Sequence, residues 1–155
     1  MEMLAEVARR SDRAVAEARA ELVREVRRAA NLGMTQVEIA REIGRSQPEV
    51  SRLLRFHPLS HRGRRLRQLA PDIRRIVGAA GGTNVRVFGS VATGEDQADS
   101  DVDLLFTMRE PIGLLALSAL EDALADLIGT EVDLVPDSSL RPDVRDRVLA
   151  EAVRL

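Results

Sequence analysis

The 155 residues contain no cysteine, lysine, tryptophan or tyrosine, and only two histidines and three phenylalanines. Without cysteine there are no disulfides and no thiolate metal sites, and His57 and His61, both in a connecting segment, cannot supply a zinc cluster alone. Any metal here is therefore held by oxygen. An aromatic content of 2% argues against stacking on single-stranded nucleic acid and leaves duplex DNA as the better polyanion. Nor is there an apolar run of about 18 residues, or a short apolar N-terminal segment behind basic residues, so neither a membrane span nor a secretory signal is expected. The expected location is cytoplasmic. Since every basic residue is arginine, part of the arginine excess reflects composition, not binding.

What is present fits one or two small soluble domains: 45% apolar residues and a net charge of −2. Charge is divided unevenly along the chain. Residues 1–70 carry 15 Arg against 9 acids, whereas residues 71–155 carry 8 Arg against 16 acids. A basic front suggests a polyanion partner, and an acidic back suits metal-assisted chemistry on a bound nucleotide.

The densest chemistry lies between Val85 and Phe106. Val85, Val87 and Phe88 predict a strand that ends at Gly89-Ser90, a tight turn whose amides can face a phosphate and whose serine adds a hydroxyl. Ten residues later Asp101 and Asp103 stand two apart. On a strand that spacing sends both carboxylates to one face and Val102 and Leu104 to the other. Like charges so close call for a divalent cation, and magnesium takes hard oxygen ligands.

Gly89-Ser90, the gap and Asp101-Val102-Asp103 resemble the signature of the polymerase-β-like nucleotidyltransferases, in particular the minimal nucleotidyltransferases of the HEPN/MNT antitoxin type. In that family a third carboxylate comes from a later strand, and Val132-Asp133-Leu134-Val135 fits it. The resemblance covers residues 64–155. It implies that Asp101, Asp103 and Asp133 are catalytic and bind two Mg2+ ions, while Gly89 and Ser90 position the β- and γ-phosphates of ATP. One departure stands out: relatives read Gly-Ser-x-Ala-Arg-Gly, and here Thr93 replaces the arginine.

Ahead of this region, residues 3–31 lack Gly and Pro and predict a long helix. Its thin stripe of Leu4, Val7, Val15, Ala18, Leu22, Val26 and Ala29 serves either a symmetry mate, giving a homodimer through the N-terminal helix, or only its own domain's core. Gly33 caps that helix. Thr35 to Glu38 has the capping-box pattern for a second helix ending near Ile43, Gly44 permits a sharp turn, and Ser46 to Glu49 starts a third helix running to about Phe56. Val37, Ile39, Ala40, Ile43, Val50, Leu53 and Leu54 form the expected core.

Thr35 to Leu54 resembles the helix-turn-helix of bacterial repressors. That likeness implies double-stranded operator DNA as a partner, with Gln47, Ser51 and Arg52 at base edges and Arg45 and Arg55 at phosphates. A three-helix bundle that binds protein has the same pattern.

The expected division is a helix-turn-helix domain over 1–57, a linker over 58–63 and a nucleotidyltransferase domain over 64–155. The second domain should run as a helix to about Ala80 that starts afresh or kinks at Pro71, two strands, a helix over 112–128, a strand over 131–135 and a closing helix over 143–152. The fold class is thus α+β: an all-α domain followed by a small α/β domain whose sheet the resemblance makes mixed. Arg65, Arg67, Arg74 and Arg75 read as a solvated face, and Asp137 and Asp143 as caps or turn residues.

The small members of this family are antitoxins that transfer AMP from ATP to a tyrosine of a HEPN-type toxin. With no tyrosine of its own, this chain would modify another protein, and the helix-turn-helix would repress its own operon. Three rivals stand beside that reading. They are a transcription regulator that only senses ATP, a toxin-binding module without catalysis, and an antibiotic-modifying enzyme, for which residues 64–155 leave no second domain to shape a sugar pocket.

Overall fold

The structure is a computed structural model that describes residues 2–155, with side chains from residue 3. The chain divides into two units after Leu54.

In the first unit, α1 (Glu2–Asn31) leads to α2 (Gln36–Ile43) and α3 (Gln47–Leu53). Both short helices start with the expected reciprocal caps. Thr35 accepts from the Glu38 amide while the Glu38 carboxylate takes the Thr35 amide, and Ser46 and Glu49 repeat the arrangement. Each carboxylate is held below its ordinary range first by that backbone hydrogen bond. Gly44 closes α2 at φ 65°, a left-handed conformation that glycine adopts without a Cβ clash. Val26, Ile39, Ala40, Val50 and Leu53 are the buried centre.

Val37 is not part of that core but 58% exposed. It lies two positions before Ile39, about 200° round the helix, and so faces away. The long helix packs only through its last third, since residues 3–21 are all exposed.

The third helix ends at Leu53 and not near Phe56. Phe56 is buried in the core of the second unit, which moves the domain boundary from residue 57 back to Leu54. The linker expected over 58–63 is also partly structured, because Ser60 caps the helix that starts at His61.

The second unit contains α4 (His61–Gln68), α5 (Ala70–Ala79), β1 (Gly82–Phe88), α6 (Gly89–Thr93), β2 (Val102–Met108), α7 (Leu114–Ile128), β3 (Val132–Pro136), α8 (Pro142–Glu151) and β4 (Val153–Arg154). The strands form one mixed sheet in the order β3-β2-β1-β4. β1 is antiparallel to β2 and β4, and β2 is parallel to β3, as the crossover through α7 requires. Leu66, Ile73, Val77, Leu120, Leu124 and Ile128 cover one face. On the other face Val148 of α8 and Ala152, its C-cap, pack over Phe88 and Leu105.

Several surface assignments change. Arg65 donates to the carbonyls of Ile128 and Leu127 at the end of α7, and Arg74 donates to that of Leu155. Asp137 is the partner of Arg86, which is 3% exposed and donates to it at 2.8 Å. A buried guanidinium needs such a counter-ion. Asp143 is neither cap nor turn residue but an exposed acid in the first turn of the helix that starts at Pro142, paired with Arg141. The boundary at Leu54 also redistributes charge. The first unit holds 10 Arg against 9 acids and the second 13 Arg against 16 acids, because α4 carries its arginines into the second unit.

Candidate active site

β1 delivers Phe88 to the end of the sheet, and there the chain turns through Gly89 at φ 71° into α6. Glycine is needed twice over at this position. The left-handed conformation disfavours any Cβ, and a Cβ placed on Gly89 would run into the Asp103 carboxylate. That closeness follows from the register, in which Phe88 is the partner of Asp103 across β1 and β2.

β3 then brings the third acid. Asp133 pairs in register with Asp103, and Asp101 stands one residue before β2, so all three carboxylates gather at the end of the sheet beside the Gly89 turn. Val102 and Leu104 are fully buried, so strand alternation sends the Asp101 and Asp103 side chains to the other face, as expected. Asp101 and Asp133 are exposed, and Asp103 is half-buried. The Asp103 carboxyl is pushed up from 3.8 to about 6 by burial, then by Asp133, Asp101 and Glu151, while Arg147 acts in the opposite direction.

Two further pieces escaped the sequence reading. Glu151, near the end of α8, accepts from the Gly89 amide through Oε2 at 3.0 Å. Its other oxygen lies 4.0 Å from Arg147, one turn earlier. Arg62, expected in a linker, donates instead to the Gln97 and Ala98 carbonyls and stands 3.9 Å from the buried Asp96 side chain. It ties down the loop that leads into Asp101. Glu151 stood within the closing segment of the family pattern, but Arg62 gave no signal at all. Thr93 turns its hydroxyl back to the carbonyls of Gly89 and Ser90, 3.3 Å from each.

Oxygen-only donors on adjacent strands, crowded enough to raise one pKa, suit a hard divalent cation. Among the described residues no three acidic or histidine side chains already close on one point. Such a set fits magnesium, which is commonly held by one or two carboxylates and completed by substrate phosphates.

In the first unit, Arg45, Gln47 and Arg52 are exposed and Ser51 is partly buried. Gln47 donates to Gln36, linking the starts of α3 and α2. Arg55 is exposed but lies beyond α3, in the second unit. The structure therefore brings four of the five expected DNA contacts together on one unit. Among the described residues no helix is long and apolar enough to cross a membrane.

The family model described as "nucleotidyltransferase domain" matches residues 66–155, wholly within the second unit. A relative described as protein adenylyltransferase MntA, from Thermococcus cleftensis, is 45% identical over 69 residues, which is 44% of this chain and 70% of the relative. A solved structure described as a minimal nucleotidyltransferase matches with a TM-score of 0.54 and 41% identity, over 60% of this chain and 95% of the other. A toxin-antitoxin crystal structure with AMP-PNP shares the fold, with a TM-score of 0.51 and 21% identity over 55% of this chain and 70% of that one.

Proposed function

The chain belongs to the nucleotidyltransferase domain family, and from that premise we propose that it is a Mg2+-dependent protein adenylyltransferase acting as an antitoxin. It transfers AMP from ATP to a tyrosine of a HEPN-type toxin. The observation that carries this reading is the register that sets Asp133 beside Asp103, with Asp103 against Gly89. The acceptor oxygen bonds to the α-phosphorus as the bond to pyrophosphate breaks, and the hydroxyl proton passes to Asp133. Gly89 and Ser90 orient the β- and γ-phosphates. Two Mg2+ ions held by Asp101, Asp103 and Asp133 would neutralise developing charge and lower the pKa of the attacking hydroxyl.

The test is the intact mass of the protein encoded beside this gene, produced with this chain and with its Asp101→Asn, Asp103→Asn form. A gain of one or more AMP units that requires both carboxylates is the expected result. A stable complex with no gain in either case would favour the ATP-sensing or binding-module reading.

The first unit, in this proposal, represses the operon as a homodimer that joins through α1 and places α3 in successive major grooves. Gln47, Ser51 and Arg52 then meet base edges, and Arg45 meets a phosphate. The two capping boxes and the Gly44 turn support this reading, because they fix α2 and α3 as a compact pair.

A further inference from the structure

A triphosphate brought to three carboxylates needs a positive charge as well as metal. The turn itself supplies none. β3, α6 and the loop from Gly94 to Ser100 contain no basic residue. The only arginine on β1, Arg86, is committed to Asp137, Thr107 and the Asn84 carbonyl. Thr93 spends its hydroxyl on the backbone of its own helix. α4 also touches α6, but its Arg62 is committed to the Gln97 and Ala98 carbonyls; the other element against this turn is α8.

On α8, Val148 faces the sheet, as does the C-cap Ala152, and Glu151 reaches the Gly89 amide. Arg147, four residues before Glu151 and therefore on the same side of the helix, flanks that contact. Its side chain is 63% exposed and pairs with Glu151 only at 4.0 Å. A pair of that length whose arginine is exposed, though its glutamate is largely covered, is weak and exchanges readily for a better anion. A guanidinium presents a planar fork that matches a phosphate, and Arg147 also eases the charge on Asp103.

We propose that Arg147 binds the β- and γ-phosphates of the nucleotide, held beside the cradle by Glu151, which at the same time anchors the Gly89 amide. Arg147 is then a substrate-binding residue and Glu151 a positioning residue. The inference rests on the nucleotidyltransferase reading above and names the group that completes its phosphate site.

The test is calorimetric titration of the full chain with Mg2+-ATP and, separately, with inorganic tripolyphosphate. Arg147→Ala should weaken both by about 10-fold or more, and Arg147→Lys should recover part of the loss. Arg145→Ala, about 200° round the same helix, should leave both unchanged and so controls for net charge. Glu151→Gln should weaken both as well, and adding it to Arg147→Ala should cost nothing further, because the two side chains act as one unit.

Wild-type affinity in Arg147→Ala would overturn the proposal, as would an equal loss in Arg145→Ala. A fully additive loss in the double variant would overturn the role of Glu151. A wild-type chain that binds neither ligand would overturn the parent reading too, whereas wild-type binding with an unaffected Arg147→Ala would overturn this inference alone.

Discussion

Half-buried and surrounded by Asp101, Asp133 and Glu151, the Asp103 carboxyl titrates near pH 6 in the folded chain, well above its ordinary 3.8. The folded state thus holds this proton more tightly than the unfolded chain does. Linkage then requires that stability be full below about pH 4, decline as pH rises towards 6 and stay reduced above it. Asparagine resembles the protonated acid at every pH. Thermal melts of the metal-free protein should therefore show Asp103→Asn matching wild type near pH 4 and melting a few degrees higher at pH 7 to 8. Magnesium should close that gap by raising the wild-type melting temperature alone. A variant that melts below wild type at pH 8 would mean that the crowding is not a cost to the fold.

Glycine at two element ends provides a second comparison. Gly44 and Gly89 both have positive φ, at 65° and 71°, but a Cβ on Gly44 meets nothing within 4 Å whereas one on Gly89 meets Asp103. Gly44→Ala should cost about 1 kcal/mol, the conformational term alone. Gly89→Ala should cost more, because the turn must retreat from β2, and it should lose nucleotide binding as well. Denaturant melts and an ATP titration on the two variants check this. Equal costs with intact binding would show that the close approach has no consequence.

The same elements show what the sequence could and could not reveal. Both capping boxes, the Gly89 turn and the Asp101, Asp103 pair were legible because each depends on residue type at short spacing, whereas Asp133, 30 positions beyond Asp103, was reached only through the family resemblance. Phe56 was misplaced, since nothing local to the run from Gln47 to Phe56 reveals that this side chain belongs to another core. β4 was missed because two residues cannot show an alternation. Arg62, Glu151 and Asp137 act across 35 to 62 positions of sequence, and only the folded sheet brings such partners together.

At the scale of the whole molecule, α1 is the element whose length the fold leaves unexplained. Leu4, Val15 and Leu22 lie within about 20° of one another round the helix. Leu22 packs into the first unit, whereas Leu4 and Val15 are 75% and 66% exposed. One stripe is thus covered at its end and bare for the roughly 28 Å before it. A bare apolar stripe on a helix gains little from local structure alone and is stabilised by a partner of the same pattern. If the homodimer proposed above is that partner, Leu4→Glu with Val15→Glu should halve the mass measured by light scattering. Operator affinity should fall with it, because one α3 reaches one half-site where two reached a pair. ATP affinity should be unchanged, since every residue of the proposed nucleotide site lies in the second unit. A wild-type chain that is already monomeric at working concentration, yet binds the operator as tightly as the double variant does, would remove α1 as the dimer element and leave its stripe for another protein.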